Sequence, residues 1–326
     1  MSFPDQKAKL LSAKVGVVLL NWNGADYTTS CIESLLRGNV IPWKIVVVDN
    51  GSNDGSPELI FDKFPDIHLI RNKKNEGFTV GNNQGINYLL SEGADYIWVL
   101  NNDTLVDQNC LDELLGAARL YPHMACFTGK IYYDKPSDKI WYAGGYRQQL
   151  HLSVKHRGED EIDKGRYNEI EEVEFISGCC MFFPCLSLNN LGGFIDDYFV
   201  YSEDNEWCWR AIKSGHKLLY VPDAIIWHLV SATVKRNTSD GKRIDEPTAF
   251  SWFFMIRNNF WTIRYHCNPY PKKLLAIGVN IIIELKMIIS NLVKKDFDRA
   301  LSIWNGMYKG LLCTLPKNKG NYLAKK

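Results

Sequence analysis

Short runs of consecutive apolar residues alternate, in the first part of the chain, with segments whose apolar residues recur every three or four positions. The runs are rich in β-branched residues, which is typical of strands covered on both faces; they are KVGVVLLNWNG (14–24), KIVVVDNGSNDGS (44–56), IHLIRN (67–72) and YIWVLNND (96–103). The segments with helical spacing are 26–38, 81–93 and 110–121. Strands and helices that alternate in this way predict an α/β fold with a doubly wound, mostly parallel sheet.

The regular alternation is lost further along the chain. Between 124 and 190 we expect only short strands, near 126–133 and 172–183. A polar stretch after about residue 230 predicts a loop, and two apolar helical segments follow it, at 248–266 and 272–295. We therefore expect a catalytic domain over 1–235 and a C-terminal helical extension over 236–326.

Composition narrows the function classes only slightly. The 326 residues carry a formal net charge of +1, which favours neither nucleic acid nor an anionic surface, and we expect no nucleic-acid partner. Nine cysteines without CxxC spacing are typical of buried free thiols in a reducing compartment. The first residues, MSFPDQKAKLLSAK, show no secretory leader, so a cytoplasmic location is expected.

Polar clusters follow three of the predicted strands. They are Asn21-Trp22-Asn23, Asp49-Asn50 and Asn101-Asn102-Asp103. Ligands of open parallel sheets bind outside the carboxyl ends of the strands, so three clusters at the same edge indicate a binding site. The alternative for each cluster alone is that Asn, Asp and Gly simply form a turn.

The chemistry of these residues indicates the kind of ligand. Asp49 can accept a hydrogen bond from the imide N–H of uracil or thymine. Asp103 is a hard oxygen ligand for Mg²⁺ or Mn²⁺ whose other positions go to phosphates and water; alternatively it caps the next turn, with Asp107 as a competitor. The glycines at 77, 81 and 85 line one helix face and allow close approach to a flat ligand or a neighbouring strand, but they form neither a Walker loop nor a dinucleotide signature.

Two further segments carry candidate chemistry. SEDNEWCWRAIKSG (202–215) predicts a helix entered through Ser202, and one of Glu203 and Asp204 is a candidate general base for a sugar hydroxyl. The alternative is helix capping, because acids are favoured in a first turn. His228 follows another apolar strand; it is either a metal or phosphate contact or a packed core histidine.

The order of seven motifs resembles glycosyltransferase family 2, the inverting enzymes of the GT-A fold, and is most similar to the rhamnosyltransferase-like branch. The motifs are VVLLNWNG, VVVDNGSNDGS, NEGFTVGNNQG, WVLNNDT, SGCCMFFP, GGFIDDYFVYSEDNEWCWR and IIWHLVSAT. The resemblance covers about residues 14–235. It implies a GT-A nucleotide-sugar-binding domain with a metal-binding acid motif and a catalytic acid pair.

The resemblance also implies roles for single residues. Asp49 would read the pyrimidine base, Asp103 would bind the metal with Asn101 in place of that motif's first acid, and Asp204 would be the catalytic base with Glu203 as the alternate. His228 would complete the metal or diphosphate site. The other residues expected to border the nucleotide sugar or acceptor are Asn21, Trp22, Asn23, Asn50, Gly81, Asn83, Asn102, Gly178, Trp207 and Arg210.

The implied reaction is transfer of a sugar, with rhamnose as one candidate, from a UDP- or dTDP-linked donor to a saccharide or lipid-linked acceptor in cell-surface polysaccharide synthesis. Two other classes remain open. A sugar nucleotidyltransferase should carry a Gly-rich basic loop after its first strand, and NWNGADYT lacks one. A non-catalytic nucleotide-sugar-binding protein is the second alternative, and Asn101 favours it.

The segment KKLLAIGVNIIIELKMIISNLVKK (272–295) has a broad apolar face and a narrow polar side at Asn280, Glu284 and Asn291. Its length would allow it to span a bilayer, but Glu284 and Lys286 would each cost ~2.5–3.5 kcal/mol near the centre. With lysines at both ends, a helix lying on the inner face of an anionic membrane is expected. The alternative is packing against the catalytic domain or a partner in a homodimer.

Overall fold

A computed structural model describes residues 13–134, 137–229 and 247–315. Four parallel strands form one half of its main sheet: β1 (Val15–Asn21), β2 (Lys44–Asp49), β3 (His68–Arg71) and β4 (Tyr96–Asn101). The helices of this half are α1 (Ala25–Leu36), α2 (Ser56–Lys63), α3 (Gly77–Ser91) and α4 (Cys110–Leu120). In the sheet register Asn21 lies opposite Asp49 and Leu20 opposite Asn101. The polar ends of β1, β2 and β4 therefore meet at one edge.

The second half adds strands of both directions. They are β5 (Thr104–Val106), β6 (Met124–Tyr133), β7 (Ile140–Tyr142), β8 (Gly145–Arg147), β9 (Val154–His156), β10 (Glu171–Val173), β11 (Cys180–Pro184) and β12 (Lys217–His228). Helices α5 (Cys185–Leu191) and α6 (Glu203–Lys213) belong to the same half. The main sheet has the order β10-β12-β6-β11-β4-β1-β2-β3, with β5 on β12 and β7 on β6, and β8 pairs only with β9.

The direction of β12 places its last residue beside the tip of β4. β12 runs parallel to β6 and antiparallel to the short β5, where His228 pairs with Thr104. β11 runs antiparallel to β4 and brings Cys180 opposite Leu100. The mostly parallel, doubly wound sheet predicted from the sequence is thus confirmed, with antiparallel strands where the alternation of the sequence breaks down.

The core is built by the apolar runs that predicted the strands. Val17, Val46 and Trp98 are completely buried between the helical layers, as expected for strands covered on both faces. The side chain of Val18 lies against α3, where a Cβ built on Gly85 would lie 2.5 Å from its Cγ1. Glycine lets this helix approach the sheet closely. All nine cysteines lie in the described part of the chain and are unpaired, and all but Cys313 are buried.

The described residues from 247 onward form three helices: α7 (Ala249–His266), α8 (Tyr270–Val293) and α9 (Phe297–Leu312). The first two confirm the predicted helical segments, and α9 was not predicted. α7 packs against α6, and α9 packs along α7. The predicted domain boundary at 235/236 and the predicted polar loop fall within 230–246, outside the described residues.

α8 faces the protein with its polar side. Its buried residues are Ala276, Asn280 and Glu284, which are four positions apart and share one helix face. The apolar side is exposed: Leu275 and Ile282 keep 55% and 56% of their surface. In the described part of the chain α8 alone is long and apolar enough to cross a membrane, and only 17% of that apolar window is buried.

Candidate active site

The carboxyl ends of β1 and β2 are joined by hydrogen bonds between buried polar side chains. Asn21 donates from Nδ2 to Oδ1 of Asp49 at 2.8 Å, and its own Oδ1 accepts from Oγ1 of Thr28 at 2.8 Å. Thr28 in turn accepts from Nδ2 of Asn102 at 2.8 Å. Ser52 donates to Asp49 through its hydroxyl and its backbone N–H. A continuous chain of hydrogen bonds therefore runs from Asp49 to the tip of β4.

Trp22 and Asn23 lie at the outer side of this network. Trp22 keeps 52% of its surface exposed, so its ring is available to a ligand. Asn23 adopts a positive φ of 51°, and its Oδ1 accepts from the backbone N–H of Asn53 at 2.9 Å. This contact holds the loop after β1 against the loop after β2.

Asn50 holds a neighbouring loop. Its Nδ2 donates to Oδ1 of Asn75 and to the carbonyl of Gly77, and its Oδ1 accepts from Nδ2 of Asn72 and the N–H of Glu76. These bonds use both donors and both acceptor positions of the amide. Asn50 therefore shapes the loop that precedes α3, and its contact with the nucleotide sugar stays a prediction.

Asp103 and His228 face each other where β4 and β12 end. Nε2 of His228 lies 3.2 Å from Oδ1 of Asp103, and both side chains are about nine-tenths buried. The ring of Trp141 packs edge-on against the imidazole, with 4.6 Å between ring centroids. Nδ1 of His228 is buried without a hydrogen-bond partner among the described residues. A buried imidazole nitrogen left unpaired beside a carboxylate is typical of a site that a ligand completes.

The acid pair at the start of α6 lies on the other side of the β4 tip. Oδ2 of Asp204 accepts from the backbone N–H of Gly178 at 2.9 Å. The next residue, Cys179, accepts through its carbonyl from the N–H of Asn101 at 3.0 Å. Two residues after Asn101 comes Asp103, whose charge also acts on the thiol of Cys179 and raises its pKa, after the larger effect of burial. Asp204 and Asp103 therefore flank one short segment of backbone.

The two acids of the pair have different surroundings. Burial raises the pKa of Glu203 well above its usual range and the charge of Asp204 raises it further, and Oε2 of Glu203 has no partner among the described residues. Burial also raises the pKa of Asp204, while backbone N–H groups, first that of Gly178, act in the opposite direction. The helix is entered through Ser202, as predicted, although the Ser202 side chain makes no capping hydrogen bond.

The turn that carries the acid pair is held in a strained conformation. Phe199, Tyr201 and Ser202 all have φ between 64° and 68°, a region that costs non-glycine residues free energy. Asn258 of α7, completely buried, donates to the carbonyls of Tyr198 and Tyr201 at 2.9 and 2.7 Å. The C-terminal helices therefore help to position the start of α6. Sequence reasoning missed Asn258, although two adjacent amides, Asn258 and Asn259, inside an aromatic-rich helix were a usable signal.

Four other predicted residues are used by the fold. Gly81 packs α3 against Leu20 of β1, and Asn83 bonds both to Phe194 and to the carboxylate of Asp196.

Trp207 is completely buried and donates to the carbonyl of Gly192 at 2.9 Å. Arg210 pairs with Glu206 at 2.8 Å and donates to the carbonyls of Leu191 and Gly193. Gly81, Asn83, Trp207 and Arg210 thus take part in packing or internal hydrogen bonds, and their contact with the donor or acceptor stays a prediction.

The described residues offer a small donor set for a metal. Within 13–134, 137–229 and 247–315 no three His, Cys, Asp or Glu side chains converge as a metal cluster. The pair of Asp103 and His228 supplies one carboxylate oxygen and one imidazole nitrogen. This set fits a divalent ion that takes most of its ligands from a diphosphate and water, as such ions do in nucleotide sites.

Known proteins resemble this chain over most of its length. The family model described as "Glycosyl transferase family 2" matches residues 16–192. An N-acetylglucosaminyl-diphospho-decaprenol L-rhamnosyltransferase of Mycobacterium tuberculosis is 24% identical over 262 residues, 75% of this chain and 85% of that protein. The dTDP-rhamnosyl transferase RfbF of Shigella flexneri is 22% identical over 283 residues, 85% of this chain and 86% of that protein.

Solved structures show a similar fold. The crystal structure of GalNAc-T7 with UDP, GalNAc and Mn²⁺ superposes with a TM-score of 0.59 at 17% identity, and the match covers 77% of this chain and 48% of that one. Likeness at this identity concerns the fold alone, and it confirms the predicted GT-A architecture. Since the family model spans more than half of the chain, the protein belongs to glycosyl transferase family 2 and is a glycosyltransferase, as its sequence predicted.

Proposed function

We propose that this enzyme transfers a sugar from a UDP- or dTDP-linked donor to a saccharide or lipid-linked saccharide, with inversion at the anomeric carbon. One observation carries the proposal. Hydrogen bonds link Asp49 through Asn21 and Thr28 to Asn102. Near Asp204, the N–H of Gly178 donates to its carboxylate, and the carbonyl of Cys179 accepts from Asn101, two residues before Asp103. A single ligand can therefore contact groups that are far apart in the sequence.

Asp49 is the proposed reader of the pyrimidine base. Its Oδ1 already accepts from Asn21 and from the Ser52 hydroxyl, whereas its Oδ2 accepts only from the Ser52 N–H. A carboxylate oxygen has room for a second donor, and the imide N–H of uracil or thymine is a suitable one. Trp22 directly follows Asn21, whose amide donates to Asp49, and its exposed ring can stack on the base.

Asp103 and His228 would hold a divalent ion, Mg²⁺ or Mn²⁺, on the donor diphosphate. Such an ion neutralises the negative charge that develops on the leaving diphosphate. His228 can bind it through the nitrogen that faces Asp103, or can donate to a phosphate oxygen. The neighbouring backbone keeps both side chains at the β4 tip, so the diphosphate is drawn to the same edge of the sheet as the base.

Asp204 is the proposed general base. Its two oxygens are oriented by the N–H groups of Gly178 and Asn205 at 2.9 and 2.7 Å, and it remains partly exposed. A carboxylate in this position can take the proton of the acceptor hydroxyl as that oxygen attacks the anomeric carbon. One in-line displacement from the face opposite the diphosphate inverts the configuration and needs no covalent intermediate.

The relatives suggest the finer identity of the substrates. One is described as acting on N-acetylglucosaminyl-diphospho-decaprenol with L-rhamnose, and another as a dTDP-rhamnosyl transferase. By analogy we assign to this enzyme a dTDP-rhamnose-like donor and a lipid-linked acceptor of a cell-surface polysaccharide. A lipid-linked acceptor requires contact with a membrane, and the exposed apolar side of α8 suits the cytoplasmic face of one.

A non-catalytic nucleotide-sugar-binding protein is the second candidate, and Asn101 favours it. The resemblance places an acid at this position, and the described residues give the Asn101 side chain no hydrogen-bond partner. Thermal-shift measurements of UDP- and dTDP-sugars with and without Mn²⁺, followed by an assay of nucleoside diphosphate release, separate the two functions. The transferase releases dTDP or UDP when an acceptor is added, whereas binding without acceptor-dependent release would establish the second candidate.

A further inference from the structure

A cavity of about 520 Å³ opens beside the start of α8, at a distance in sequence from every proposed donor contact. It is lined by Arg147, Gln149, Leu152, Glu174, Trp209, Lys213, His266, Cys267, Asn268 and Lys272. These residues come from the β8–β9 hairpin, from the residue after β10, from α6, and from the end of α7, the turn that follows it and the first turn of α8. The volume is within the range of pockets that bind small molecules.

Positive charge dominates the cavity wall. Arg147, Lys213 and Lys272 carry permanent positive charges against the single carboxylate of Glu174. Neither lysine has an ion-pair partner in the described part of the chain, and Nε of Arg147 is buried without a hydrogen-bond acceptor there. The guanidinium of Arg147 lies over the ring of Trp209 at 4.0 Å, which holds it in place. Unpaired cations at a concave surface favour an anionic ligand.

The cavity lies between the proposed base and the apolar side of α8. Nη2 of Arg147 donates to Oδ1 of Asn205 at 2.9 Å, and Asn205 is the residue after Asp204. On the other side, Lys272 lies in the first turn of α8, directly before the exposed Leu274 and Leu275. A path from the catalytic carboxylate to the exposed apolar surface therefore crosses three cations.

We propose that this cavity binds the phosphate or diphosphate group of a lipid-linked acceptor. Such an acceptor carries a sugar, then the phosphates, then a hydrocarbon chain, and the structure presents a base, then cations, then an apolar surface in the same order. Arg147 supplies a planar fork of donors for phosphate oxygens, and Lys213 and Lys272 add charge at the rim. The assignment rests on the proposed transferase function for its acceptor, but binding at the cavity is measurable without turnover.

The test is calorimetric titration of two probes, geranyl diphosphate and inorganic pyrophosphate, without metal. UDP and dTDP are each added at saturation, so that the donor site is occupied. Geranyl diphosphate should bind the unmodified enzyme under both conditions, and Lys213→Ala/Lys272→Ala should weaken that binding about tenfold, since each lost ion pair contributes somewhat less than 1 kcal/mol. Lys286→Ala/Lys294→Ala removes the same charge from exposed positions of α8 and its end, and should change the affinity less than twofold.

Each other outcome overturns part of the assignment. If geranyl diphosphate does not bind, or binds equally to both double variants, the cavity is not a phosphate site. If pyrophosphate binds as tightly as geranyl diphosphate, the site takes a free anion and the link to a lipid is wrong. The proposed transferase function is judged separately by nucleoside diphosphate release, so either proposal can fail while the other holds.

Discussion

Glu203 and Asp204 are adjacent acids, but their environments separate their chemistry. Oε2 of Glu203 is buried with no described partner, and burial together with the charge of Asp204 raises its pKa well above the usual range. Asp204 is oriented by backbone N–H groups that favour its charged form. Burial raises the pKa of Asp204 as well, but these backbone N–H groups oppose that rise, so Asp204 is the acid of the pair better placed to ionise and to accept a proton.

Asp204→Asn should lower turnover by about 10²–10⁴-fold, the usual contribution of a general base. Its affinity for the donor should stay within twofold, because the amide keeps the shape of the side chain and the donor contacts lie elsewhere. The measurements are nucleoside diphosphate release at saturating acceptor and calorimetric titration of the donor. Asp223→Asn, at an exposed position of β12, is the control and should leave both values unchanged.

The companion variant Glu203→Gln decides between the two acids. Since burial and the charge of Asp204 raise the pKa of Glu203 and so favour its neutral form, the neutral amide should preserve turnover within a few fold. If Glu203→Gln loses turnover while Asp204→Asn keeps it, the roles are exchanged and Glu203 is the base.

Asp103→Ala should abolish the effect of Mn²⁺ on donor binding, because it removes the only carboxylate that faces His228 among the described residues. We expect donor affinity in the presence of Mn²⁺ to fall at least about tenfold, the cost of a lost metal contact, and to become independent of the metal. Asp107→Ala, four residues further along, is the control. A normal Mn²⁺-dependent affinity in Asp103→Ala would remove Asp103 from the metal site.

At the level of residues, the sequence predicted the functional groups that lie at the end of a strand or the start of a helix. Asp49 and Asp103 end strands, and Asp204 begins a helix, so local pattern was enough to single them out. Trp207 and Arg210 lie on the same helix as Asp204, but the carbonyls of Gly192 and Gly193 to which they donate are brought to the helix by tertiary packing. A resemblance in sequence does not reveal which side of a helix faces the ligand.

Helix α3 approaches β1 so closely that glycine is required along its inner face. Gly85→Ala should destabilise the fold by ~1–3 kcal/mol, the usual cost of overpacking, because the new Cβ would lie 2.5 Å from Cγ1 of Val18. Denaturant unfolding measures the free-energy change. Donor affinity of the folded variant should change little, since this glycine packs the helix and makes no proposed ligand contact.

Gly116 of α4 provides the matched control. A Cβ there meets no atom within 4 Å, so Gly116→Ala should stabilise the protein by ~0.5–1 kcal/mol through the higher helix propensity of alanine. Equal effects of the two substitutions would show that α3 does not depend on close contact with the sheet.

Part of the apolar side of α8, including Leu275 and Ile282, stays exposed, while Ile277 and Ile281 pack against buried residues of α7 and α9. Leu275→Asp/Ile282→Asp should reduce cosedimentation with anionic lipid vesicles several-fold, because charged side chains cannot enter the interface, and should leave the unfolding free energy within about 1 kcal/mol, as surface substitutions do. Leu120→Asp, on the exposed end of α4 at 74% exposure, is the control and should bind vesicles normally. Vesicle binding unaffected by the double substitution would favour packing against a second copy of the chain.

At the level of elements, the sequence predicted the strands and helices whose own apolar residues follow a clear pattern. β1 to β4, α1, α3, α4, α6, α7 and α8 all came from local hydrophobic pattern. The strands β7 to β10 have three residues each and exist because distant segments pair with them, so no local signal predicts them. The short helix α2 was not predicted from the sequence, because it follows a turn-rich stretch.

At the scale of the whole molecule, three kinds of surface follow one another in space. They are the strand ends with Asp49 and Asp103, the turn with Asp204, and the cavity that leads to α8. The sheet order, with β11 and β12 inserted on the far side of β4, brings His228 and Gly178 to the edge that β1 and β2 already define. Chain order alone could not predict this convergence, because it depends on antiparallel pairings between distant segments, such as Leu100 with Cys180 and Thr104 with His228.

The central claim is that Asp49, Asp103 and Asp204 surround one nucleotide-diphosphate sugar. A crystal structure with Mn²⁺ and a non-transferable dTDP- or UDP-sugar tests it most directly. The account predicts the base at Asp49, the metal-bound diphosphate at Asp103 and His228, and the anomeric carbon facing Asp204 with room for one acceptor hydroxyl between them. A donor bound to Asp49 whose anomeric carbon points away from Asp204 would contradict it.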